Sequence, residues 1–156
     1  MEKTSHPSVS KEQQEAEKEL VEDIARKLKI SLARQWRPLA ELSSVTVDGY
    51  CDEPATMCEA WAHLGSPKGA QPSKVMMDAL KMLFIEKRKG RKFKKILVFA
   101  NEEARKPFYQ DSDRWQAKCL QAFDIECKVG QLQPQTLKRL REAQERQGVF
   151  QKGTID

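Results

Sequence analysis

Apolar residues recur at helical spacing through Ala16, Leu20, Val21, Ile24, Ala25, Leu28 and Leu32, and Ser10 with Gln13 ahead of them forms a capping box. The pattern predicts a long amphipathic helix opening at Ser10. Arg34-Gln35-Trp36-Arg37-Pro38 closes that helix, and Leu39 to Leu42 reads as a short strand. From Val45 the period changes to two. Side chains two apart on a strand share a face, which puts Val45, Val47 and Cys51 on one side and Thr46, Asp48, Tyr50 and Asp52 on the other. Beyond the turn Cys51-Asp52-Glu53-Pro54-Ala55, the residues Cys58, Ala60, Ala62 and Leu64 make a small apolar face opposite Met57, Glu59, Trp61 and His63. The short turn predicts an antiparallel hairpin that brings Asp48 and Glu59 near one another.

Pro72 suits the first turn of a second helix, whose predicted buried face is Val75, Met76, Ala79, Leu80, Leu83 and Phe84. Lys95 to Ala100 is a short apolar run of the kind found in strands covered on both faces. Asn101 caps the next helix, with Glu102 and Glu103 complementing its dipole. A further helix carries Trp115, Cys119, Leu120 and Phe123, and the strand Ile125 to Val129 follows. A last helix starts at Pro134, turns Leu137 and Leu140 inward, and ends near Gln147-Gly148. This order predicts an α/β sandwich around a mixed sheet, its later strands joined by right-handed crossovers. Residues 1–9 read as a flexible N-terminal tail, 10–148 as a single α/β domain and 149–156 as a C-terminal tail.

The 156 residues, 39% hydrophobic and 33% charged, suffice for one core under a wet surface. A net charge of +5 permits polyanion binding, and its distribution matters more than its size. Lys87-Arg88-Lys89-Gly90-Arg91-Lys92-Phe93-Lys94-Lys95 holds seven basic residues in nine with no acid, which makes Lys87, Arg88, Lys89, Arg91 and Lys92 candidates for phosphate contact. Neither a secretory signal nor a membrane span is recognisable, so the expectation is a soluble, cytoplasmic protein. Cys51, Cys58, Cys119 and Cys127 lack paired CxxC spacing and read as reduced, buried thiols. There is no internal repeat and no GxGxxG or GxxxxGK[ST] phosphate loop.

The segment from Val45 to Lys74 carries the candidate chemistry. Two acids on neighbouring strands, followed by lysines at a helix start, suit a divalent metal beside a phosphate. Against this, an Asp before a Gly is common turn chemistry, while Glu59 in an apolar strand is harder to explain structurally. His63 reads first as a strand-end polar residue and second as a phosphate contact. Trp61 reads either as core or, with Tyr50, as a surface on which a base stacks.

This arrangement of a helix, an antiparallel unit bearing Asp48 then Glu59, a helix and a strand resembles the PD-(D/E)XK, or restriction-endonuclease-like, nuclease superfamily over roughly residues 15 to 130. Cys58-Glu59-Ala60-Trp61-Ala62-His63, with the downstream Lys74 and Asp78-Ala79-Leu80-Lys81, also looks like small uncharacterised bacterial proteins of this type. The resemblance implies a three-layer α/β/α sandwich around a mixed β-sheet. It also implies Mg²⁺ held by Asp48 and Glu59, with Glu19 or Glu22 as an assisting helix carboxylate. Trp61 stands where the motif has its lysine, so the lysine is expected from the following helix as Lys74, with Gln71 as a helper. The implied activity is metal-dependent phosphodiester hydrolysis in nucleic acid. The alternative is a catalytically inactive nuclease-fold protein that binds nucleic acid. A third possibility is a protein-interaction module or toxin-system component, a homodimer through an apolar surface of the first helix.

Overall fold

Ser10 opens the first helix as its sequence predicts. In a computed structural model, which describes residues 10–34 and 45–152, with side chains to residue 148, Ser10 Oγ accepts the Gln13 N–H and the Gln13 side chain accepts the Ser10 N–H. The helix, α1, spans Lys11–Leu28 and stops short of Leu32. Lys29 adopts left-handed geometry (φ 55°), and the N–H groups of Lys29 and Ile30 turn back onto carbonyls of Ala25 and Arg26. A lysine in the place usually taken by glycine hides this stop from the sequence. The strand expected at Leu39 to Leu42 lies outside the described residues.

Four strands follow, interleaved with helices: β1 (Gly49–Cys51), β2 (Thr56–Trp61), α2 (Gln71–Lys89), β3 (Lys94–Phe99), α3 (Glu102–Arg105) with a 3-10 turn at Lys106–Phe108, α4 (Trp115–Ala122), β4 (Ile125–Val129) and α5 (Pro134–Lys152). The sheet order is β1-β2-β3-β4, with β1 antiparallel to β2 and the other two pairings parallel. The chain is therefore mixed α/β, with a four-stranded mixed sheet and five α-helices among the described residues. None of these helices is long and apolar enough to cross a membrane.

Helices pack against both faces of the sheet. Met57, Trp61, Leu97 and Phe99 meet Val75, Ala79, Met82 and Ile85 of α2, together with Phe108 and Leu120. Cys58, Ala60, Ile96 and Val98 meet Ala16, Leu20 and Ile24 of α1 and Leu140 of α5. The second strand thus divides by face as its alternation predicts. The first does not, because Val47 and Tyr50, three residues apart, reach the same core cluster across a bend at Asp48.

Other departures have similar causes. The buried stripe of α2 is Val75, Ala79, Met82 and Ile85, whereas Leu80 and Phe84, expected inside, are 59% and 46% exposed. The apolar residues of α2 spread around a wide arc, and only the position of the sheet selects the stripe. Trp115 and Phe123 are likewise exposed, while Ala117 and Leu120 anchor α4. Helix α5 runs through Gly148 to Lys152, past the end expected for it. The apolar side of α1, expected as a dimer surface, is covered by the chain's own sheet and α5.

Gly49 opens β1 where the strand packs closely under Val21 of α1. A Cβ there would lie 2.6 Å from Cys58 Sγ, 3.0 Å from Val21 Cγ1 and 3.2 Å from Leu32 Cβ. Gly49→Ala is therefore expected to lower stability by about 1–3 kcal/mol through overpacking. Urea denaturation checks this, and an unchanged midpoint would mean that the neighbours yield without cost.

Candidate functional site

Each acid of the hairpin is placed by a different backbone feature. Asp48 occupies the bend before β1, and its Oδ2 accepts the Ala60 N–H at 2.8 Å, which fixes the carboxylate beside the residue that follows Glu59. Glu59 lies within β2 on the face covered by α2 and is 4% exposed. From α2, the Lys81 ammonium approaches Glu59 Oε1 to 2.9 Å and Asp78 Oδ1 to 3.8 Å. The first contact is a close ion pair, and it leaves the buried Glu59 Oε1 with no partner other than the Lys81 ammonium. From α1, Glu17 joins the same cleft of about 500 Å³, whose lining also includes His63 and Lys74. A second cleft of about 530 Å³, lined by Lys18, Glu22 and Arg34, adjoins it along Glu17 and Asp48.

The electrostatics follow from crowding acids in a partly dry place. Burial pushes the Glu59 carboxyl up to about 9, with Asp48 adding to the rise and Lys81 opposing it. Burial raises Glu17 to about 7, again helped by Asp48 and opposed by Arg34. Asp78 rises to about 6, chiefly by burial, against the pull of Lys81. Lys81 itself is drawn down by burial but raised overall, because Glu59, Asp78 and Asp48 all favour its charge. The two partners of the 2.9 Å contact thus respond differently. One ammonium shared among several acids stays charged, while each acid receives only part of its compensation. We therefore take Lys81 as the fixed charge of the pair and Glu59 as the group that readily takes up a proton.

Of the residues singled out in the sequence, Asp48 and Glu59 come together. Lys74 lines the cleft, but Lys81, about two turns further along α2, is the lysine that touches Glu59. Gln71 accepts the Lys68 N–H at 2.9 Å and closes its own loop. Glu19 accepts from the Gln133 N–H and the Thr136 hydroxyl, so it ties α1 to the start of α5, away from the acids. Of the α1 carboxylates, Glu17 lines the acid cleft, and Glu22 lines only the adjoining one. The Trp61 ring is packed in the core at 8% exposure, 4.4 Å from the His63 ring, and only the small part of it that lines the cleft reaches the surface. The Gln13 amide nitrogen lies 3.2 Å from His63 Nε2, and burial followed by the charge of Lys74 holds the imidazole below its ordinary pKa. Lys74, Asp78 and Lys81 fall at i, i+4 and i+7 on one helical face, a spacing the sequence displayed without revealing what that face meets.

The basic run is spread out by the fold. Lys87, Arg88 and Lys89 form the last turn of α2, where cations complement the helix dipole. Arg91 pairs with Asp52, Lys92 with Asp124 at 3.8 Å and Lys94 with Glu126 at 3.7 Å, while Lys95 is buried. Lys89 lies over the Tyr50 ring, itself buried in the core. Thirteen helical residues, or about 20 Å, separate Lys74 from Lys87, and six, or about 9 Å, separate Lys81 from it, so the run begins beyond the C-terminal side of the acid cleft.

All four cysteines are free thiols. Burial raises the pKa of Cys58, and that of Cys127 to about 12, which leaves both inert. Among the described residues, no group of three or more His, Cys, Asp or Glu side chains is arranged as a ready metal cage. The donors nonetheless fit a hard cation. Glu59, Asp48 and Glu17 line one cleft, and Mg²⁺ commonly takes one or two carboxylates plus water and phosphate. No family model matches the chain, and no curated protein or solved structure matches it.

Proposed function

We propose that the cleft is a Mg²⁺-dependent phosphodiester-hydrolysing centre acting on nucleic acid, within a three-layer α/β/α sandwich of the restriction-endonuclease-like kind. The observation that carries this is the buried Glu59 carboxyl, paired with the Lys81 ammonium and lining one cleft with Asp48, an acid-acid-lysine constellation. Asp48 and Glu59 hold the cation and Glu17 supports it from α1. Lys81 takes the part expected of Lys74 and places its ammonium where charge develops on phosphate. Lys74, at the mouth of the cleft, steers the polyanion. A bound Mg²⁺ would polarise a phosphoryl oxygen and make water a better nucleophile.

The test is incubation of the protein and its Glu59→Gln variant with single- and double-stranded DNA and RNA in Mg²⁺, Mn²⁺ or EDTA. Cleavage that needs the metal and falls by about 100-fold or more in the variant is the expected result. Intact substrates under every condition would favour a second reading, a nuclease-like fold that binds nucleic acid without cutting it. The direct contact between Lys81 and Glu59 is the observation on which that second reading rests.

A further inference from the structure

Lys81 pairs with one carboxylate and keeps a second within reach. Its ammonium is 2.9 Å from Glu59 Oε1 and 3.8 Å from Asp78 Oδ1, the latter beyond hydrogen-bonding range. Asp78 and Lys81 sit three apart on α2, their side chains 30% and 29% exposed, so rotation about the lysine side-chain bonds exchanges the partners without moving the helix. On the other side of Glu59, Asp48 is held by the Ala60 N–H and cannot follow the ammonium.

From this geometry we propose that Lys81 is a built-in stand-in for the divalent cation and that Asp78 is the positioning residue that receives its ammonium when the cation arrives. The proposal rests on the metal-site function proposed above and adds a competition to it. An ammonium beside Glu59 and a dication on Glu59 repel one another, so one excludes the other unless the ammonium has somewhere else to go. Asp78 provides that place. In the cation-free chain the Lys81 ammonium occupies the ground beside Glu59 that the cation would take, and in the cation-bound chain the displaced ammonium remains in the cleft, paired with Asp78, where a phosphate would meet it. Asp78 thus acts through Lys81 and need not touch the cation.

Calorimetric titration with Ca²⁺ alone, on the full chain without substrate, tests this through a double-mutant cycle. Lys81→Met is expected to bind Ca²⁺ about tenfold more tightly than the wild type, because the competitor is gone. Asp78→Asn is expected to bind it several-fold more weakly and Asp78→Glu about as well as the wild type. In the Lys81→Met background, Asp78→Asn is expected to have no further effect, whereas a ligand of the cation would still be missed there. Equal or weaker binding by Lys81→Met, or a loss from Asp78→Asn that persists in that background, overturns the proposal and leaves the metal site standing. Absence of Ca²⁺ binding in the wild type and in Lys81→Met alike overturns both. Thermal unfolding with and without Ca²⁺ gives a second readout. If Lys81→Met does not fold, Asp78→Asn against Asp78→Glu decides, and equal affinities in that pair overturn the proposal.

Discussion

Replacing Glu86 with alanine is expected to destabilise the protein by about 3–5 kcal/mol, the cost of leaving a buried charge without its partner. Lys95 is 2% exposed at the start of β3, and its ammonium reaches Glu86 Oε2 at 2.6 Å and the Phe93 carbonyl at 3.3 Å. The same Glu86 oxygen accepts the Phe93 N–H at 2.8 Å, so one carboxylate holds both the strand's buried lysine and the chain leading into it. Removing it strands an ammonium and a backbone donor together. For a chain of this length the loss corresponds to roughly 10 °C in melting temperature. Lys95→Met combined with Glu86→Gln removes the charge from both partners and is expected to recover most of the stability, since an apolar replacement of a buried pair is often neutral. Urea denaturation of the three proteins measures this. A loss below about 1 kcal/mol in Glu86→Ala would show that the Lys95 ammonium reaches water.

Acidification from pH 8 to pH 6 is expected to stabilise the cation-free protein by about 2–3 kcal/mol, with most of that gain absent from Glu59→Gln. Burial raises the Glu59 carboxyl from an ordinary 4.5 to about 9, so across this window the folded chain keeps a proton that the unfolded chain releases. Stability from this group is full below the ordinary carboxyl value and is lost as pH rises toward about 9. Glu17, raised to about 7, acts in the same direction through the lower half of the window, and Asp78, raised to about 6, adds most of its share below it. His63 has the opposite sign, because its depressed pKa favours folding as pH rises, but its effect falls mainly on the acid side of 6.5. Asp23 and Glu86, where lysines and backbone donors overcome burial, contribute stability that is lost only at more acid pH. Thermal unfolding in EDTA at the two pH values decides the matter. A wild type that is more stable at pH 8, or a Glu59→Gln variant with the same slope, would place the Glu59 carboxyl in ordinary contact with water.

Local patterns were legible wherever one short stretch of chain carried them. The Ser10 and Gln13 capping box, the Asn101 cap, the apolar run of β3 and the limits of β4 all depend on neighbours in sequence. So does the proximity of Asp48 and Glu59, because a tight turn fixes which residues of a hairpin face each other. The candidate site was only half readable for the same reason. Glu17 comes from α1, and Lys81 and Asp78 come from the middle of α2, so their meeting with Glu59 depends on how two helices settle on the sheet. The basic run was the opposite case. Its density is plain in the sequence, yet Asp52, Asp124 and Glu126 answer its charges from other loops and strands.

The alternation of helices and strands, the two-faced burial of β3 and the pairing of two acids across a hairpin each follow from side-chain period and turn chemistry acting over a few residues. Long-range packing set which stripe of α2 is buried, that Lys95 is interior, and that Lys81 rather than Lys74 reaches Glu59. A helix carrying apolar and charged residues around much of its circumference can dock in several rotations with similar local energy. The rotation is fixed only when Val75, Ala79, Met82 and Ile85 find Met57, Leu97 and Phe99, and the charges at positions 78 and 81 are carried to the buried acid by that choice.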